Sequence, residues 1–343
     1  MVDVTVRGAG IFGLSIAWTC VERGAKVRVI DPFGPGAGSS GGVVGALAPH
    51  VPENWNAKKA FQLESLLMAQ EFWRDVSHAG GKAAGYIRSG RIQPVADQNA
   101  LKLARDRAQS ASTLWAEHAE WRVEPATSEP WMPQSPSGWV VHDTLSALIH
   151  PQRAIAALVA ALATRGVEVV QDAPDSGCVL WATGVAGLEH LTAEHTRMVG
   201  TGVKGQAALL NYDASGAAQL FVDGLHIIPH LDGTVAIGST TERDYTDAST
   251  TDAQLDTLIA AARTAVPVLA DAPVTARWAS ARPRSRSRAP VLGAWPDKPG
   301  HYIANGGFKI GFGMAPKIAH VMADLLLEGK NTIPADFEVA ASL

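Results

Sequence analysis

The stretch "VDVTVRGAGIFGLSIAW" sets Gly8, Gly10 and Gly13 between an alternating apolar segment and an apolar helical one. A glycine-spaced turn between strand and helix, followed by a second strand, "AKVRVID", makes a β-α-β unit, and such units build parallel sheets. Gly8 allows the tight turn and Gly10 lets backbone approach a pyrophosphate. Gly13 permits close helix–strand packing, and Ala17 extends that small face. The helix start, with Ile11 and Phe12 at its first positions, offers unpaired N–H groups and a positive dipole end to phosphate. Asp31 closes the second strand, where a carboxylate accepts from a ribose 2′-hydroxyl. An acid there, rather than an arginine, disfavours a 2′-phosphate, so FAD or NAD is expected over NADP. The competing reading is a β-α turn with no ligand.

The loop that follows decides between FAD and NAD. From Pro32 it runs "PFGPGAGSSGGVVGALAP", with Ser39, Ser40, Gly41, Gly45, Ala46 and Leu47 within it. A loop this rich in glycine and serine can wrap a second length of phosphate, ribitol and ring. A nicotinamide enzyme would usually pass straight into another β-α unit. The expected cofactor is FAD.

Beyond this loop the texture changes twice. "YIRSGRIQPVA" reads as a hairpin, and "HPQRAIAALVAALATRG" as a helix followed by a strand, "VEVVQDA", that holds Val169. "GCVLWATG" is a short buried strand that turns at Thr183 and Gly184. From Val203 strands dominate, with "LDGT" as a hairpin turn. An arginine-rich loop after Trp278, the strand "GHYIANG" and the helix "MAPKIAHVMADLLLEG" close the chain. This order predicts an α/β (α+β) fold, with one domain assembled from three separated segments and a second, sheet-rich one built from two. The expected division is 1–84, 147–202 and 275–343 for the first and 85–146 and 203–274 for the second.

With 343 residues, 47% of them hydrophobic and 18% charged, the chain can bury a large core. A net charge of −4 gives no general pull toward nucleic acid or anionic membrane. Cys20 and Cys178 form no disulfide framework. No secretory signal or membrane-spanning run is read, so a soluble, cytoplasmic protein is expected. No metal-ligand spacing stands out.

"GAGIFGLSIAW", "RGAKVRVIDP", "GAGSSGGVVGALAP", "VKGQ", "HIIPHLDGTVAIGSTTE", "RPRSRSRAPVLG" and "GGFKIGFGMAP" follow one another in this chain. In that order they resemble the D-amino-acid-oxidase/glycine-oxidase/sarcosine-oxidase family of flavoproteins over nearly the whole chain, with residues 93–146 contributing little. The resemblance implies FAD, a Rossmann-type FAD-binding domain in the three segments interleaved with an antiparallel-sheet substrate domain in the other two, and a small amino acid or amine oxidised at the carbon beside its nitrogen. A hydride passes to flavin N5, the imine hydrolyses, and oxygen or another electron acceptor such as a quinone reoxidises the flavin. By the same resemblance, Val169, Thr183, Gly184, Gly306, Gly307, Phe308, Lys309 and Ile310 join the cofactor-binding set. An amino-acid substrate needs a cationic partner for its carboxylate. Arg282 and Lys309 match the family positions for that partner. The alternatives are an arginine bonded to backbone carbonyls and a snorkelling lysine. His226 stands where glycine oxidases hold tyrosine, and His50 follows the flavin loop. Both are candidate pocket residues.

The chain departs from the pattern at Ser287-Arg288, where the family has Asp-Gly. Arg284, Arg286 and Arg288 alternate and would share a face on a strand. They read first as a solvated loop, and otherwise as a seat for a more acidic or phosphorylated substrate, or RNA. A family relative oxidises a modified tRNA base, and "GALAPHVPEN" is similar to its flavin loop, but one basic cluster in an acidic chain gives little ground for nucleic acid. A flavoprotein holding FAD for structure alone is a third reading. Oligomeric state is left open, a homo-oligomer included.

Overall fold

The β-branched runs Val4–Arg7 and Val27–Ile30 pair in parallel, Val4 opposite Val27 and Arg7 opposite Ile30. Parallel strands covered on both faces are apolar throughout rather than alternating, and Val4, Val6 and Val29 are fully buried. They form the centre of a six-stranded sheet in the computed structural model, which describes residues 2–343. The strand order is Val291–Ala294, His301–Asn305, Cys178–Trp181, Val4–Arg7, Val27–Ile30, Val169–Val170. The start, middle and end of the chain thus meet in one sheet, and only Val291–Ala294 runs antiparallel to its neighbour.

Four helices, Ile11–Glu22, Ala57–Gly80, Pro151–Thr164 and Gly311–Glu328, pack together around Leu14, Ile16, Trp73, Leu158 and Ile318. Their ends follow local chemistry. The Asn56 side chain accepts the Lys59 N–H at 3.1 Å and Gly81 closes that helix at φ 62°. Pro151 opens the third helix, and Gly329 stops the fourth at φ 68°. None of the described helices is long and apolar enough to cross a membrane.

The second sheet has eight strands in the order Val274–Ser285, Gly200–Asn211, Thr234–Gly238, Leu225–Pro229, Gln219–Val222, Arg91–Pro94, Trp139–Asp143, Trp121–Pro125. All neighbours are antiparallel except Gln219–Val222 beside Arg91–Pro94. Helix Ala253–Ala265 covers one face with Leu255, Ile259 and Ala262. Near the sheet's far end Arg91 Nε donates to Asp143 Oδ2 at 2.9 Å, while Asp143 Oδ1 accepts the Ser146 N–H at 2.8 Å. Both side chains are buried. Removing one partner of such a pair strands the other charge. Asp143→Ala is therefore expected to cost about 3–5 kcal/mol, read as a lower denaturation midpoint at unchanged slope. Arg91→Met with Asp143→Leu should restore most of it.

Several sequence expectations change. "YIRSGRIQPVA" is not a hairpin: Ile87 bridges Leu148, and Arg91–Pro94 pairs with strands from elsewhere in the chain. The arginine-rich stretch after Trp278 is not a loop as far as Ser285, because Val274–Ser285 pairs with Gly200–Asn211 along most of its length. That strand, grouped above with the cofactor-binding segments, hydrogen-bonds within the second sheet. Helix Gly184–Ala193 and strand Trp121–Pro125 were not anticipated.

Candidate active site

The glycine turn has a steric cause. Gly8 sits at φ +105°, and a Cβ there would lie 2.3 Å from the Ala182 carbonyl oxygen. A Cβ on Gly13 would lie 1.9 Å from the Gly8 oxygen. Strand, turn and helix are thus closer together than any side chain permits. The helix so placed carries no acidic side chain in its first turn, leaving its positive end unneutralised. Ser40 Oγ accepts the Ile11 N–H at 3.0 Å, tying the second loop to the helix start. Asp31 accepts the Ala9 N–H at 2.8 Å through Oδ2 and the Phe33 N–H at 3.0 Å through Oδ1. This fixes the carboxylate and leaves each oxygen a lone pair for a hydroxyl donor.

One cavity of ≈ 890 Å³ takes its walls from both sheets. Gly8, Gly10, Ile11, Phe12, Asp31, Pro32, Ser39 and Ser40 line it, as do Gly45, Ala46, Thr183 and Gly184. So do Gly307, Phe308, Lys309, Arg282 and His226. The glycine turn and the lysine-bearing loop therefore open onto the same space. Asn305 clasps two walls: its Nδ2 donates to the Gly184 oxygen at 2.7 Å, and its Oδ1 accepts the Gly306 N–H at 2.8 Å. A glycine-lined cradle, an open helix start and a fixed acid suit the pyrophosphate and ribose of FAD.

Other expected residues lie behind this wall. Gly13 packs on Gly8, and a Cβ on Gly41 would lie 2.3 Å from the Gly36 oxygen. Leu47 is fully buried in the core, Val169 pairs with Val29, Gly306 abuts Ala289 and Ser285, and Ile310 packs on the helical core. His50 turns away: its N–H donates to Gln62 Oε1 at 2.7 Å and its ring Nδ1 touches the same oxygen. Burial holds its pKa below the usual histidine value.

Arg282 is buried, opposite Val203 in the strand ladder. Its Nη1 donates to Ser239 Oγ at 2.5 Å, and its Nη2 to the Thr240 oxygen at 2.7 Å and the Lys204 oxygen at 3.3 Å. Its Nε has no partner among the described residues. Burial pulls its pKa down to about 10, against the opposing pull of Glu242. A Cβ on Gly205 would lie 2.4 Å from this guanidinium, which explains the glycine of "VKGQ". Lys309, exposed on its loop, donates from Nζ to Thr241 Oγ1 at 2.9 Å, and partial desolvation with the Arg282 charge lowers its pKa to about 8. Burial, with Arg91 and Lys309 nearby, pushes His226 down to about 3, so its imidazole is neutral. This end of the cavity attracts anions, and its histidine can donate or accept a hydrogen bond without charge.

Trp278, Ser280, Ser239, Val44 and Asn305 also line the cavity and were missed. The alternation Trp278, Ser280, Arg282 would have revealed two of these positions, Trp278 and Ser280, had the segment been read as a strand.

The family model described as FAD dependent oxidoreductase (DAO) matches residues 3–325. The bifunctional protein ThiO/ThiG of Trichormus variabilis is 26% identical over 360 residues, covering 96% of this chain and 53% of that protein. The chain thus spans about half the length of that relative. A glycine oxidase of Pseudomonas aeruginosa is 34% identical over 144 residues, 41% of this chain and 39% of its own. The crystal structure of glycine oxidase from Geobacillus kaustophilus superposes with a TM-score of 0.85 over 98% of both chains at 19% identity, a likeness of fold.

Proposed function

Because this chain belongs to the DAO family of FAD dependent oxidoreductases, we propose that it oxidises a small amino acid or amine at the carbon bearing nitrogen. The observation that carries this reading is a single cavity with a glycine cradle at one end and two uncompensated cations, Arg282 and Lys309, at the other. Bound flavin supplies the two-electron acceptor for the substrate's hydride. The protein's part is to bind and orient. Arg282 and Lys309 take the carboxylate, while neutral His226 accepts or donates a hydrogen bond at the pocket wall. The substrate amine enters unprotonated, so no side chain need remove its proton. The imine formed takes up water to give a carbonyl compound and the freed amine.

Purified protein should be yellow, and a small amino acid or N-methylated amine should bleach the flavin under anaerobic conditions. Colourless protein that fails to take up FAD would reject the proposal. A flavin spectrum insensitive to a broad amine panel would instead favour a structural cofactor. Oxygen uptake against quinone reduction distinguishes the two candidate electron acceptors.

Lys309 sets a pH dependence. Its ammonium is charged below about pH 8 and loses the proton above it. Carboxylate affinity should therefore fall as pH rises through that value, seen as a rising KM. Lys309→Gln should flatten this limb, and Lys309→Arg should move it beyond the measurable range.

The alternative substrate, a modified tRNA base, is less well supported. Arg284 lies over the Phe308 ring, whereas Arg286 donates to the Leu343 oxygen and Arg288 lies exposed in a turn at φ 58°. The arginines do not form one basic face. RNA retention at low salt, lost on replacing all three, would reinstate that reading. The two-part division of the chain given above, and a cytoplasmic setting, belong to the same proposal.

A further inference from the structure

Between strand Thr234–Gly238 and helix Ala253–Ala265 the chain makes a loop, residues 243–251, that is pinned at both ends. Before it, the Glu242 and Lys204 backbones bond to each other at 2.9 and 3.0 Å, and Glu242 Oε1 accepts from Gln206 Nε2 at 3.0 Å. After it, Asp252 Oδ1 accepts from the same Gln206 amide at 2.9 Å, and the Asp252 N–H donates to Gln206 Oε1 at 2.8 Å. Lys204 Nζ lies 3.7 Å from Glu242 Oε2 and 3.8 Å from Asp252 Oδ2, placing its charge between the two acids. Gln206 is fully buried, so a single amide fastens both ends of the loop in a dry setting, where unmade hydrogen bonds are costly.

The loop is also shaped from within. Tyr245 rests on strand Gly200–Asn211, where a Cβ on Gly202 would lie 2.5 Å from its hydroxyl. Asp247 Oδ1 accepts the Ser249 N–H at 2.8 Å and the Ser249 hydroxyl at 2.6 Å, a turn that straddles Ala248. Ala248 is the single residue of this loop, among the described residues, that lines the cavity. It is also the one aliphatic side chain in a run of charged and hydroxyl-bearing neighbours. Four residues of chain span at most about 14 Å, so Asp252 keeps Ala248 near the Gly205–Gln206 step that seats Arg282. Ser239, Arg282, His226 and Lys309 give the same cavity polar walls. Those walls suit the charged part of a ligand, and the alanine methyl suits a part that carries no charge.

We propose that Ala248 is a specificity-determining residue: the substrate's side chain rests against it, and the bulk at position 248 sets the largest side chain the site admits. The inference rests on the oxidase reading above and deepens it. The pinned ends matter because a loop free to swing would yield to a larger ligand instead of excluding it.

The test titrates flavin-loaded protein with straight-chain monocarboxylates from acetate to hexanoate and follows flavin absorption. Ala248→Phe should weaken the longest acid that binds by at least about tenfold relative to acetate, since even one methylene in an apolar pocket is worth that much. Ala248→Val should give a smaller loss in the same direction, and Ala248→Gly should shift the preference toward longer acids. Thr250→Phe adds the same bulk at an exposed position of the same loop and should leave the order of affinities unchanged. Flavin content and melting temperature of each variant separate exclusion from misfolding. An order of affinities that is the same in all three position-248 variants, or that Thr250→Phe shifts equally, would overturn the inference and leave the oxidase reading standing. No spectral response to any acid, in protein that holds FAD, would remove the anion-binding reading itself and this inference with it.

Discussion

Arg282→Met is expected to lower kcat/KM for an amino-acid substrate by about 10²–10⁴-fold, while the protein still purifies with a near-normal load of flavin. Truncating one partner of a desolvated charged hydrogen bond typically costs 2–5 kcal/mol or more, and each 1.4 kcal/mol is tenfold. The guanidinium is buried and held by the Ser239 hydroxyl and two backbone carbonyls, with Nε unpaired. Those bonds fix its position without neutralising it, so its charge remains available to a ligand. Methionine fills similar volume beside Gly205 and Phe308, which limits collapse of the pocket. Steady-state kinetics and the ratio of flavin to protein absorbance are the two readings. Equal loss of flavin and of catalytic efficiency would mark Arg282 as structural, the reading its bonds to carbonyls also allow.

Gly8→Val should have the opposite signature: no bound flavin at all. The residue stands at φ +105°, which a β-branched side chain adopts only with strain. Its Cβ would also lie 2.3 Å from a backbone carbonyl that cannot move aside without shifting strand Cys178–Trp181. Backbone strain alone costs about 1–3 kcal/mol, and the clash adds to it. The turn would open, displacing the N–H groups at the start of helix Ile11–Glu22. Flavin retention after gel filtration in excess FAD measures the loss. A variant that stays yellow and melts normally would show that the phosphates are held elsewhere.

How much of this could be read in advance depended on the range of the interactions. The glycine turn was legible because its causes lie within a few residues and its spacing is dictated by sterics. The shared cavity of Gly10 and Lys309 was inferred from resemblance, since nothing local brings residue 309 to residue 10. The hairpin at Tyr86 failed because the partners of Arg91–Pro94 are Gln219–Val222 and Trp139–Asp143, which no short window contains. The strand through Arg282 was read as a loop because charged residues at alternate positions look solvated unless the facing strand is known. His50 was drawn toward the pocket by its place in sequence, yet one amide, Gln62, turns its ring the other way.

The long antiparallel ladder between Gly200–Asn211 and Val274–Ser285 works as a ruler. Each step of two residues along one face of it carries a side chain about 6–7 Å farther along the strand. Relocating a charge by a single exchange of neighbours on that face would therefore retune which ligand lengths fit, in discrete increments and without rebuilding the cofactor's seat. A lineage, or an engineer, could walk selectivity along the strand one rung at a time.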